Sequence, residues 1–143
     1  MRKAIAGILL AALCSQAEEV TTLAPLLVSA SKQPQRLQDT ALSLRVLDIE
    51  RLEKLPADPY HRLAAQTPNL RFYRAGSRRT ALLYCRGLGS SGPNQPAVSV
   101  YLDDVYCRRT GYAEMDLLGL RQVEVLRGPQ GTLYGQNAEA GVV

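Results

Sequence analysis

Apolar and polar positions alternate along Leu42-Ser43-Leu44-Arg45-Val46-Leu47 and again along Arg121-Gln122-Val123-Glu124-Val125-Leu126-Arg127. A period of two places alternate side chains on opposite faces, so both stretches are expected to be strands. Between them the pattern changes. Asp48 precedes Ile49, Leu52 and Leu55, which share one side of a short helix that Pro56 ends, with Glu50 and Lys54 spaced as an i,i+4 pair. Asp58-Pro59 opens a second helix with an acidic cap and a proline at the first helical position; Leu63 and Ala64 supply its apolar side, and Thr67-Pro68-Asn69 stops it. Further strands are expected at 70–74, at 81–86 before Gly87 and Gly89, and at 97–106, where Val98 to Leu102 run into an Asp103-Asp104 hairpin. Residues 115–120 read as a helical turn, 128–131 as a tight turn, and 132–140 as irregular or helical. Strands mixed with short helices predict an α+β domain.

The two ends of the chain differ from this middle. Met1-Arg2-Lys3, an uncharged run from Ala4 to Leu13, and small residues at Ser15 and Ala17 have the order of a secretory signal peptide. The apolar run is shorter than the roughly 20 residues that span a bilayer. Cleavage is expected after Ala17. Removing residues 1–17 from 143 leaves 126, and the formal charge falls from +4 to +2 as Arg2 and Lys3 leave. That removes the basic surplus a nucleic-acid partner requires. Residues 18–36, interrupted by Pro25 and Pro34, read as an unpacked, flexible arm, within which Leu26, Leu27, Val28, Ser29 and Ala30 form a short β-prone run suited to strand addition.

Candidate chemistry is sparse. Asp103 and Asp104 are neighbours, and neighbours on a strand point apart, so they suit a turn better than a catalytic pair. The lone His61 has no companion for a metal site, and neither a metal nor a cofactor is expected. Gly128, Gly131 and Gly135 lack the order of a phosphate loop. An enzyme is therefore not expected. Arg71, Arg74, Arg78, Arg79 and Arg86 form a loose basic group open to an anionic ligand or an acidic partner. Beyond the leader, Cys85 and Cys107 remain; in an exported chain they can pair or stay as two buried thiols, and spacing alone leaves both open.

Glu124-Val125-Leu126-Arg127-Gly128-Pro129-Gln130-Gly131-Thr132-Leu133-Tyr134-Gly135-Gln136-Asn137-Ala138 resembles the late signature of the plug domain of TonB-dependent outer-membrane receptors. Thr67-Pro68-Asn69-Leu70, Cys85-Arg86-Gly87 and Val100-Tyr101-Leu102-Asp103-Asp104-Val105-Tyr106 are similar to further plug segments in the family's order. Leu27-Val28-Ser29-Ala30, ahead of Arg36-Leu37-Gln38-Asp39, resembles the TonB box and the segment after it. Gln136, where the family often has arginine, Glu139-Ala140, Cys85 and Cys107 depart from the pattern.

The resemblance implies a small α+β plug with a mixed sheet over 37–143, lodged in a barrel that this length cannot encode. It implies TonB as a partner for Leu26–Ala30 and a barrel whose glutamates meet Arg86 and Arg127. It also implies a structural motif of Gly87, Asp103, Gly128, Pro129, Gly131, Tyr134 and Gly135. The expected cargo is a scarce nutrient, a ferric siderophore or similar chelate. It is met at outward loops 75–80, 89–96 and 107–112, with Arg78, Arg79, Asn94, Arg108 and Arg109 as contacts. Location would be the outer membrane of a Gram-negative bacterium. The competing expectation is a soluble periplasmic binding or interaction domain that uses the plug fold without a barrel.

Overall fold

The computed structural model describes residues 25–55, 58–74, 76–77, 80–89, 95–109, 117 and 119–143. The leader, Arg78, Arg79, Asn94 and half of the expected turn at 115–120 lie outside the described residues.

The central sheet has five strands in the order β3-β8-β9-β6-β7, formed by β3 (Leu44–Asp48), β6 (Val98–Leu102), β7 (Val105–Cys107), β8 (Gln122–Arg127) and β9 (Gly141–Val142). β3 runs antiparallel to β8, β8 to β9 and β6 to β7, whereas β9 runs parallel to β6, so the sheet is mixed. Two residues of β9 thus fill the gap between β6 and β8. Their backbones come very close there, and an added Cβ at Gly141 would lie 2.4 Å from the Leu126 carbonyl oxygen. Only a residue without a side chain fits that approach.

Helix α1 (Ile49–Glu53) follows β3 directly, with the Asp48 carboxylate accepting the Glu50 N–H at 2.9 Å. Helix α2 (Pro59–Gln66) is capped in the same way, Asp58 accepting the Tyr60 N–H at 3.1 Å. Both caps satisfy donors that a helix start leaves unpaired. The hairpin of β4 (Leu70–Arg74) and β5 (Ala81–Cys85) forms a separate two-stranded sheet, in register Leu70 to Cys85 and Phe72 to Leu83. Ile49, Leu52, Tyr60 and Leu63 from the helices meet Phe72, Ala81, Leu83 and Cys85 from this hairpin and Leu47, Val98, Val100, Val123 and Val125 from the central sheet in one buried cluster. Each large aliphatic side chain withdrawn this way contributes about 1.5–3 kcal/mol. Exposed His61 packs edge-on against Phe72, with ring centroids 4.8 Å apart. That is a surface-packing role, and no cluster of metal ligands occurs among the described residues.

A second cluster joins Leu126 and Val142 to Ala30 and Ala138, with Leu42, Leu44, Tyr101 and Tyr134 packed on it. The arm expected at 18–36 therefore differs in its described part. β1 (Leu27–Val28) pairs antiparallel with β2 (Gln35–Arg36), a single 3-10 turn follows (Leu37–Asp39), and Val28 and Ala30 are 1% and 2% exposed. Residues contributed by β8 and by α3 (Gly131–Tyr134) hold this segment, and nothing in the local sequence announces them. In this structure Cys85 on β5 and Cys107 on β7 are both buried and unbridged. Each strand places its cysteine in the apolar cluster, which is an ordinary environment for a small hydrophobic thiol.

Candidate functional site

β8 carries a site at each end. At its start, Gln122 and Glu124 share the face opposite the buried Val123 and Val125, and there they grip the β1 segment. The Ser29 N–H donates to both Glu124 carboxylate oxygens, at 3.0 and 3.1 Å, and the Ser29 hydroxyl lies 3.3 Å from Oε1. The Gln122 amide donates to the Leu27 carbonyl at 3.2 Å and to Glu124 Oε1 at 2.8 Å. A hydrogen bond to an ionised carboxylate is stronger than a neutral one, so Ser29 is the firmest of these points.

The far side of the segment is fastened through aromatic rings. Lys32, at φ +61°, closes the turn after Ser29, its N–H donating to the Ser29 carbonyl at 2.8 Å. Its ammonium meets Asp104 at 2.6 Å and lies 5.0 and 4.6 Å from the ring centres of Tyr101 and Tyr134. The Tyr134 hydroxyl donates to the Ala30 carbonyl at 2.8 Å, and the Tyr101 hydroxyl to the Tyr134 carbonyl at 2.6 Å. Burial, with the nearby Glu124, Asp104 and Tyr101, pushes the Tyr134 hydroxyl up to about 12. Burial likewise raises Tyr101, against the opposing pull of the Lys32 charge. Asp104 takes its place through the β6–β7 turn, where Asp103 and Asp104 both have positive φ, +48° and +68°. Two such residues form the turn whose twist matches a tight hairpin, and aspartate tolerates it.

Leu26 and Leu27 keep their side chains outside, 45% and 56% exposed. Beside them opens a cleft of about 480 Å³ lined also by Arg45, Asp48, Arg51 and Arg121. The segment thus offers apolar side chains to solvent while its backbone is occupied.

At the other end of β8, Arg127 and Gly128 meet the turn after β5. Arg86 and Gly87 both have positive φ, +54° and +81°, and Cys85 and Leu88 exchange backbone bonds of 2.9 and 3.0 Å across them. A bulky residue rarely occupies that region, and such strain persists only where the surroundings impose it. Here the Arg86 N–H donates to the Asn69 carbonyl at 2.9 Å. The Arg86 guanidinium lies over Gly128, where an added Cβ would stand 2.9 Å from Nη1. Arg127 Nε is buried with no hydrogen-bond partner among the described residues. Both guanidinium charges act on the buried Cys85 thiol. Burial pushes that thiol up, and Arg86, the backbone of Gly128 and Arg127 pull it back in part.

The structure therefore brings Arg86, Gly87, Arg127 and Gly128 to one place, and Leu27–Ala30 to Asp104 and Tyr134 at another. Gly131 opens α3 and Gly135 closes it at φ +74°. Pro129 is exposed beside them. Of the expected ligand contacts, Arg108 and Arg109 are exposed and are not gathered with any described partner of that set. Gln122, Glu124, Lys32 and Tyr101 were not foreseen. The one available signal was the polar face that alternation gives Gln122 and Glu124.

Comparison with known proteins identifies the family. The model of the TonB-dependent receptor plug domain matches residues 36–142. The pesticin receptor of Yersinia pestis is 31% identical over 142 residues, which is 98% of this chain and 21% of that receptor. The vitamin B12 transporter BtuB of Vibrio vulnificus is 28% identical over 153 residues, covering 100% of this chain and 24% of the transporter. The crystal structure of the ferric yersiniabactin uptake receptor FyuA from Yersinia pestis superposes with a TM-score of 0.63 at 31% identity, covering 71% of this chain and 16% of that one. The chain spans about a fifth of the length of the curated relatives it matches. With its mixed sheet and its signature segments in order, the chain belongs to the TonB-dependent receptor plug domain family.

Proposed function

We propose that this chain is the pore-closing plug of an outer-membrane receptor for active uptake of a ferric chelate, acting by gating and without chemistry of its own. The observation that carries the reading is the Leu26–Ala30 segment. Its strand Leu27–Val28 is extended, it sits at the margin of the fold, and it presents Leu26 and Leu27 to solvent, as a strand-addition partner such as TonB requires. The unpartnered Nε of Arg127, beside Arg86, supports a carboxylate partner on a surrounding barrel, because a guanidinium fork suits a carboxylate. A siderophore-type cargo is favoured over cobalamin by the higher identity to the pesticin and ferric yersiniabactin receptors than to the vitamin B12 transporter. Arg78, Arg79, Asn94, Arg108 and Arg109 are the contacts we assign to it.

The test joins this chain to the barrel of the ferric yersiniabactin receptor and follows uptake of radio-iron as the chelate, with labelled cobalamin in parallel. Energy-dependent iron uptake that Leu27→Pro abolishes is the expected result. Proline at 27 removes a backbone N–H from the outer edge while leaving the buried Val28 and Ala30 in place. Normal display of the hybrid without iron uptake defeats the gating reading, and uptake of cobalamin alone defeats the cargo assignment.

A further inference from the structure

In an extended strand the N–H and C=O of one residue share a side, and successive residues alternate sides. The register Leu27 to Arg36 and Val28 to Gln35, with the Leu37 N–H donating to the Leu26 carbonyl at 2.9 Å, turns residues 26 and 28 toward β2. Residues 27 and 29 therefore carry the free edge. Those are the residues that β8 holds: Gln122 donates to the Leu27 carbonyl and Glu124 accepts from the Ser29 N–H. Two side chains imitate a neighbouring strand, and they take up the Leu27 carbonyl and the Ser29 N–H, two of the groups that an incoming strand needs.

We propose that Gln122 and Glu124 form a clasp that closes the free edge of the docking strand, so that a strand of TonB adds only by displacing them. This inference rests on the docking role proposed above and names how that site is regulated. One edge is blocked by β2 and the other by the clasp, while Leu26 and Leu27 stay outside as the groups a partner meets first. The Gln122 bridge to both Leu27 and Glu124 links the two contacts, so loss of either side chain loosens the other. Edge strands are commonly guarded against unwanted pairing, and here the guard is removable because it is made of side chains.

The experiment uses the full 143-residue chain and its Glu124→Ala, Glu124→Gln and Gln122→Ala variants. Amide exchange at Ser29 is read against the buried Val125 amide, and the purified periplasmic domain of TonB is titrated into each protein. In Glu124→Ala, Ser29 exchange is expected to rise about tenfold and TonB binding to tighten about tenfold, the scale of one charge-assisted hydrogen bond. Val125 exchange stays unchanged, which shows the fold intact. Glu124→Gln, which keeps one acceptor, falls between, and Gln122→Ala moves both readings in the same direction by less. Unchanged Ser29 exchange overturns the clasp. Faster exchange with binding to the variants no tighter than to the parent overturns the competition. If no form binds TonB while Ser29 exchange still rises, the docking role itself fails, and that outcome is distinct from a failed clasp.

Discussion

The Tyr134 hydroxyl reaches the Ala30 carbonyl at 2.8 Å, joining residues 104 positions apart. The Tyr134 ring also faces the Lys32 ammonium at 4.6 Å and meets Tyr101 edge-on at 5.0 Å. Tyr134→Phe keeps the ring and removes only the donor. It leaves the part-buried Ala30 carbonyl unpaired, so we expect a loss of about 1–2 kcal/mol in urea unfolding. Exchange at residues 28–32 should rise while exchange along β4 and β5 stays unchanged. An identical melt and identical exchange show that the hydroxyl bond contributes nothing.

The same hydroxyl makes the fold sensitive to alkali. Its folded value stands at about 12 against the ordinary 10, so the unfolded chain loses this proton first as pH rises. The stabilisation is complete below pH 10 and disappears as pH climbs toward 12. The full shift corresponds to about 2.7 kcal/mol, and the partial exposure of the ring brings the expected effect to about 1–2 kcal/mol. The stability gap between the parent and Tyr134→Phe should thus narrow in urea melts taken from pH 8.5 to 11. A gap that is constant across that range contradicts the assignment.

How much of this was legible depended on whether the cause lay nearby in sequence. The starts of α1 and α2 were readable because Asp48 and Asp58 cap donors two residues on. β4 and β8 were readable to within a residue because alternation is a local property. The β6–β7 hairpin turned at the two aspartates, as their adjacency suggested. β9 was not readable: two residues carry no period, and their strand exists only because β6 and β8 leave a slot for them. The docking of Leu27, Ser29 and Ala30 was equally hidden, since their holders at 122, 124 and 134 lie about a hundred positions away. The meeting of Arg86 with Gly128 was not legible. Its physical cause is the left-handed turn at Arg86, which composition does not reveal.

Two glycines should respond differently to a methyl group. Gly141→Ala drives a Cβ to 2.4 Å from the Leu126 carbonyl, which is backbone and cannot step aside without parting β8 from β9. A loss of about 3 kcal/mol is expected. Gly128→Ala meets the end of the Arg86 side chain, which can swing away, but the backbone stands at φ +113°. The expected cost is about 1–2 kcal/mol, mostly from the backbone. Denaturant melts order the two; a Gly128 variant less stable than the Gly141 variant contradicts this account.

Cys85 and Cys107 should behave as protected thiols. Cys85 is 0% exposed and Cys107 9%, and burial pushes both thiols up, so little reactive thiolate forms at neutral pH. In a Cys14→Ser background, an aromatic disulfide reagent should label neither cysteine quickly in the native protein. It should label both in denaturant without reductant. Fewer than two labelled thiols under those conditions would show that they are bridged.

Asp58 has two tasks that substitution can separate. One carboxylate oxygen caps α2 through the Tyr60 N–H, and the other meets Arg74 of β4 at 2.8 Å. Asp58→Asn keeps an oxygen for the cap and removes the charge. The pair is part-exposed, with side chains 23% and 36% accessible, so its loss should cost at most about 1 kcal/mol. Asp58→Ala removes both and should cost about 1–2 kcal/mol, as for other helix caps. The consequence reaches the site, because β4 pairs with β5 and the Arg86 turn is anchored on Asn69, just before β4. Loosening the tie between α2 and β4 is expected to raise exchange at the Arg86 amide in Asp58→Ala more than in Asp58→Asn. Salt should diminish the effect of Asp58→Asn and leave the cap's share unchanged, because screening acts on the ion pair. Equal losses in the two variants at low salt would place the whole effect on the charge and none on the cap.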